Sequence, residues 1–198
     1  MITKERTKIV NIVENADRIA ERAHASIDQR RKWGSENLPY IVHPRSVAAK
    51  VKTLPGATDV DVAAALLHDV IEDVAIKLGN IKEYEDEIRE ACGEEVLALV
   101  WELTSPSEFP EWDGKSREEK RAVDWPHLEH ASNRAKRLKL VDRYDNLKDY
   151  RNAPKGYMIR KYLPESHMVV KICRVADEDM AKELEKRIEE AEAYFKKN

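Results

Sequence analysis

Along most of this chain apolar residues recur every three or four positions, and strict alternation is nearly absent. Both features predict helices rather than strands. A first helix is expected over residues 3–29, with apolar positions at Ile9, Ile12, Val13, Ile19 and Ala23. Residues 30–42 then read as a loop closed by Pro39 and Pro44. A helix over 45–54 follows and stops at Pro55-Gly56. Thr58 and Asp61 have the spacing of a capping box for the next helix, which carries the apolar run Ala63 to Leu67. Further helices are expected over 80–91 and 94–104, parted by Gly93, and then over 131–150, 156–162, 165–175 and 177–195. The stretch 105–126 breaks the pattern. Pro106, Pro110, Gly114 and Pro126 punctuate it, so it is expected to be a long loop, either packed surface or the wall of a binding site.

Composition narrows this to an all-α protein. Only 6 glycines occur, against abundant Ala, Leu, Glu, Lys and Arg. A length of 198 residues suits one domain over 1–198, a bundle of roughly eight to ten helices. The 37% charged and 42% hydrophobic shares exclude a disordered chain. No apolar run reaches ~18 residues, and the first residues lack a signal-peptide core, so neither membrane nor export is expected. Cys92 and Cys173 are too few for a disulfide framework and are read as reduced thiols in a cytoplasmic protein. The net charge of −3 excludes a long nucleic acid as partner. Local basic clusters could still hold a small phosphorylated ligand. One is Arg30-Arg31-Lys32, and Arg134, Lys136, Arg137, Lys139 and Arg143 form another.

The densest chemistry is His68-Asp69 followed by Glu72-Asp73. On an ideal helix of ~100° per residue these four share one arc. Ala63, Leu66, Leu67, Val70, Ile71 and Val74 fill the opposite arc. A nitrogen ligand beside a carboxylate, with two further acids one turn on, is costly to bury unless a cation neutralises it. Asp142, Asn146 and Asp149 share a face at i, i+4 and i+7, which alone describes an ordinary solvated helix face. His43, before Pro44, could equally be a core or capping histidine. In combination, these segments become candidates for one metal site.

Three motifs in order carry a resemblance: Leu38-Pro39-Tyr40-Ile41-Val42-His43-Pro44, then Ala64 to Asp73 with His68-Asp69 and Glu72-Asp73, then Lys139-Leu140-Val141-Asp142 with Asn146-Leu147. Together they resemble the HD-superfamily hydrolases, and more narrowly the hydrolase domain of RelA/SpoT homologues and the stand-alone small alarmone hydrolases. The similarity runs from about residue 22 to 151 and faintly to about 175. Arg30-Arg31-Lys32 fits the basic stretch that precedes the first motif. Ala91-Cys92-Gly93 stands where Phe-Gly is usual, Asp145 takes a place commonly held by His or Tyr, and residues 105–130 align poorly.

The resemblance implies an HD-type helical bundle with one divalent metal, usually manganese, held by His43, His68, Asp69 and Asp142. Glu72 and Asp73 would orient a water and handle protons, in keeping with their place one turn beyond the ligands. Arg31 and Lys32 would neutralise substrate phosphates, unless they belong to a solvated turn, and Asn146 would add a polar contact. The implied reaction removes the 3′-pyrophosphate of guanosine tetra- or pentaphosphate, giving GDP or GTP and pyrophosphate. Two alternatives stay open: a phosphatase of another nucleotide such as NADPH, and a catalytically silent nucleotide-binding module on the same fold.

Overall fold

The structure, a computed structural model, describes residues 11–33 and 37–197. Among these there is no β-strand, only an isolated bridge between Arg30 and Pro39. Nine longer helices form the bundle: α1 (Ile12–Ser26), α2 (Val42–Val51), α3 (Asp59–Leu67), α4 (Ile81–Cys92), α5 (Glu94–Leu103), α6 (Arg117–His130), α7 (Asn133–Asn146), α8 (Leu163–Cys173) and α9 (Glu178–Lys197). The expected all-α architecture is therefore present. Residues 3–10 of the expected first helix lie outside the described residues.

α3 is the axis of the bundle. Val62 to Leu67 are all buried, because α1, α2 and α5 pack around it. α7 lies against α2, α5, α8 and α9 and completes the core. Leu67, Ile71, Leu97, Leu140 and Ile188 are fully buried within one continuous cluster. Each contributes roughly 1.5–3 kcal/mol by leaving water. The consequence for function is positional: His43, His68 and Asp142 are carried into this core as buried polar residues.

Four expectations need correction, three of them at helix boundaries. α2 begins at Val42 rather than residue 45, so His43 sits inside its first turn. Pro44 fits there because a first-turn residue needs no amide hydrogen. The stretch 105–126 is not all loop, since α6 starts at Arg117. Ser116 accepts the Glu119 amide (3.2 Å) and donates its own to the Glu119 carboxylate (2.8 Å), a capping box obscured by the surrounding prolines and glycine. The helix expected over 131–150 leaves α-geometry at Asn146 and tightens into a 3₁₀ segment, Leu147–Asn152.

The segment after α3 departs most. The chain turns at His68 and Asp69, where Asp69 has φ −99° and ψ −1°, in the bridge region favoured by active-site residues. It continues as a π-helix over Val70–Ala75. The wider turn spoils the ideal projection of the four polar residues, although Val70, Ile71 and Val74 stay fully buried as expected.

The Asp61 carboxylate links the start of α3 to α7. It accepts the Thr58 amide (2.8 Å) and hydroxyl (2.7 Å) and the Arg134 Nε–H (2.7 Å). Burial pushes its pKa up, but Arg134 and Thr58 pull harder, leaving it below the usual value. A depressed folded-state pKa gives stability that is present above the unfolded pKa of ~3.9 and lost as pH falls through the folded value. Asp61→Ala should lower unfolding stability at pH 7 by about 1–3 kcal/mol in urea titrations. The gap to wild type should shrink on acidification below about pH 4.

Candidate metal and catalytic site

Three elements converge on one small volume. α2 supplies His43, the turn after α3 supplies His68 and Asp69, and α7 supplies Asp142. His68 Nε2 lies 2.9 Å from Asp69 Oδ2 and 3.6 Å from Asp142 Oδ1. His43 Nε2 lies 3.2 Å from Asp142 Oδ1 and 3.7 Å from Asp69 Oδ2. The two imidazole rings meet edge to face, with centroids 5.2 Å apart. Ligand atoms of His43, His68 and Asp69 all lie within 4.8 Å of one another. The four residues singled out in sequence thus come together.

The surroundings set the state of each ring. His43 Nδ1 faces Asp145 Oδ2 at 2.8 Å, and His68 Nδ1 faces the Ala65 carbonyl at 2.9 Å. Both partners only accept, so each Nδ1 carries the hydrogen and Nε2 is left to point into the cluster. Both Nε2 atoms are sealed from solvent and have no hydrogen-bond partner. Two such nitrogens converging on two carboxylates form a donor set suited to a divalent metal. Burial pushes both imidazole pKa values down, yet the neighbouring carboxylates reverse this and raise them. For the Asp69 carboxyl burial acts upward and the His68 charge brings it below the usual range. Asp142 is carried well below by Lys139, whose Nζ lies 3.2 Å from Oδ2, and then by the two histidines. The cluster therefore favours positive charge strongly, and a dication would replace protons there.

Further groups fix the carboxylates. The Tyr40 hydroxyl donates to Asp69 Oδ2 (2.6 Å), and Asn146 Nδ2 donates to Asp142 Oδ1 (2.6 Å). Asp145 accepts from Ser46 (2.6 Å) and pairs with Lys148 as well as His43. In the sequence Asp145 stands out only as a departure from the family pattern, but it is the residue that orients His43. Its place three residues after Asp142 on the same helix was the available signal. Tyr40 belonged to a quoted motif and had no assigned role.

Glu72 and Asp73 part company. Glu72 turns toward residue 105, whose amide donates to its carboxylate (2.7 Å). Burial, opposed in part by Lys139, pushes its pKa up to about 8. Asp73 turns the other way and accepts from Gln29 Nε2 (2.7 Å), with Lys77 3.3 Å from its second oxygen.

The basic residues also divide. Arg31 is nearly buried: Nη1 donates to Asn146 Oδ1 (2.8 Å), Nη2 lies 3.4 Å from Asp145 and Nε 3.3 Å from Asp149. Lys32 is exposed, its Nζ near the rings of Trp33 (5.1 Å) and Tyr157 (5.8 Å). Arg30 pairs with Asp28 at the surface. The second basic cluster does not exist as a patch. Arg134 and Arg137 serve ion pairs with Asp61 and Asp177, whereas Lys139 and Arg143 turn inward.

Residues 8–166 match the HD domain family, so the chain belongs to that family. Within it, the sequence is similar to the guanosine-3′,5′-bis(diphosphate) 3′-pyrophosphohydrolases called MESH1. The mouse protein is 34% identical over 173 residues, covering 85% of this chain and 89% of its own. The human protein is 34% identical over 170 residues, with 83% and 86% covered. A guanosine-3′,5′-bis(diphosphate) 3′-pyrophosphohydrolase from Aquifex aeolicus is 35% identical over 136 residues, only 17% of its length. A solved structure described as a metazoan ortholog of SpoT that hydrolyses ppGpp superposes with a TM-score of 0.72. It covers 90% of this chain and 94% of its own, at 24% identity, so it shows the shared fold.

Protein purified without chelator should contain about one divalent ion per chain, and Asp69→Ala should lose most of it by elemental analysis. Asp145→Asn, which keeps the shape but weakens the hold on His43, should lower metal affinity about 10- to 100-fold. Unchanged affinity would reduce Asp145 to a packing role.

Proposed function

We propose that this chain is a metal-dependent phosphohydrolase that removes the 3′-pyrophosphate of guanosine tetraphosphate or pentaphosphate, yielding GDP or GTP respectively, and pyrophosphate. The observation that carries the hydrolase reading is the pair of sealed, partnerless histidine nitrogens aimed at two carboxylates. The substrate follows from similarity to the MESH1 proteins over most of both chains. His43, His68, Asp69 and Asp142 are the ligands in this reading. Their mixed nitrogen and oxygen set suits six-coordinate manganese. When bound, the ion supplies Lewis acidity, polarising a phosphoryl oxygen and making water a better nucleophile. Two buried cysteines that form no disulfide fit a cytoplasmic setting.

The protein groups divide the proton work. Water adds to the phosphorus bonded to the sugar 3′ oxygen, and the bond to that oxygen breaks. Asp73, held in place by Gln29, receives the proton lost by water. Glu72, whose buried carboxyl has a pKa pushed up to about 8, holds a proton near neutrality and delivers it to the leaving oxygen. Arg31 and Lys32 offset substrate phosphate charge, and Asn146 couples Arg31 to Asp142.

The test is a release assay for phosphate and pyrophosphate with Mn²⁺, across ppGpp, pppGpp, ppApp, NADPH and deoxynucleotide monophosphates. Pyrophosphate from ppGpp supports the proposal, and turnover confined to another nucleotide overturns the substrate. Glu72→Gln should keep metal and melting temperature but lose kcat by at least about tenfold. Wild-type kcat in that variant would leave Glu72 a structural acceptor for the residue 105 amide.

Arg31 and Lys32 should differ in their response to salt. The KM rise caused by Lys32→Ala should shrink between low and high ionic strength, because its exposed charge is screened. The rise caused by Arg31→Ala should persist, because the Arg31 side chain is only 10% exposed.

A further inference from the structure

Asp73 is held by a side-chain relay that begins in α1. Gln29 Nε2 donates to Asp73 Oδ2 at 2.7 Å, and Gln29 Oε1 lies 2.8 Å from His24 Nδ1. His24 is 1% exposed, and its ring packs against Tyr40 with centroids 4.8 Å apart. The direction of the relay follows from chemistry. The amide nitrogen donates to a carboxylate oxygen of Asp73, which leaves the amide oxygen facing His24. That oxygen in turn requires the hydrogen of His24 to sit on Nδ1. Nε2 is then a bare lone pair, consistent with its burial without any partner. Burial also favours the neutral ring.

The backbone supports the same geometry. The Gln29 amide donates to the His24 carbonyl (3.0 Å), and the Gln29 carbonyl accepts the Tyr40 amide (3.0 Å). The residue between them, Asp28, has φ 46°, the left-handed turn that lets the chain fold back onto α1. Gln29 is thus clamped on both sides before its side chain reaches Asp73. Asp73 needs such a clamp. It sits in the π-helix, its side chain is 27% exposed, and its other partner is the exposed Lys77 at 3.3 Å.

We infer that His24 and Gln29 are positioning residues for the reaction: His24 fixes the Gln29 amide, and Gln29 fixes the carboxylate of Asp73 toward the attacking water. The inference rests on the reading of Asp73 as a catalytic group, so both are tested together on the manganese-loaded enzyme with ppGpp.

Gln29→Met keeps the length and removes the amide. It should lower kcat about tenfold with KM within about twofold, and leave metal content and melting temperature near wild type. In an Asp73→Asn background the same change should lower kcat by less than about twofold, since the group it positions is already disabled. His24→Phe keeps the ring packing and should lower kcat about threefold, with no additional loss on top of Gln29→Met. Gln29→Asn keeps the amide but is one methylene too short to span both partners, and should match Gln29→Met. That variant guards against misreading a folding defect. Wild-type kcat in Gln29→Met and Gln29→Asn, or losses that multiply with Asp73→Asn, would overturn the relay. Full activity in Asp73→Asn alone would overturn the catalytic role of Asp73 and the relay with it.

Discussion

Placing several carboxylates inside a helical core is the constraint from which the rest of this structure follows. Asp142 and Asp145 are buried, and Asp69 is nearly so, within the volume where α2, α3 and α7 meet. An uncompensated charge there would be prohibitively costly. Compensation comes from His43, His68, Lys139 and Arg31, each of which approaches a carboxylate oxygen to between 2.9 and 3.4 Å from a different element. The packing of three helices is therefore tied to the electrostatics of one site. A small shift of α7 against α2 would separate His43 from Asp142 and Asp145 at once. Rigidity and chemical competence are the same requirement here.

Much of this was legible in sequence because the signals are local. Apolar spacing marks helices whatever lies opposite them, and capping at Thr58 and Asp61 needs only four residues. The metal-ligand candidates could be gathered because each motif contributes its polar residues on one short segment. What stayed hidden depends on contacts between distant segments. Whether Arg31 is a solvated charge or an ion-paired strut is decided by Asp145 and Asp149, more than a hundred residues away. The same is true of Gln29, which has no meaning until the π-helix presents Asp73 to it. Prolines misled in the opposite direction: Pro126 lies within α6, where the Ser116 box had already committed the chain to helix.

Glu72 and Asp73, adjacent in sequence, work in different environments. One is enclosed against Lys139 and the residue 105 amide, and the other stands at the rim between Gln29 and Lys77. Burial raises the carboxyl pKa of the enclosed one, Glu72, to about 8. The residue 105 amide thus holds Glu72, and Gln29 holds Asp73.

The π-helix makes that separation a matter of phase. A π-turn holds one more residue per hydrogen-bonded ring than an α-turn, so Val70–Ala75 acts as an angular offset between the turn at His68-Asp69 and the α-turn that follows. The short α-turn Ile76–Leu78 that follows inherits the offset. Losing a single residue there would let the segment close into α-turns and change the angle between the acids and His68 upstream. The segment is thus intolerant of length changes even where it tolerates changes of side chain. Variation in this stretch should run through substitutions alone, with insertions and deletions confined to the loops outside it.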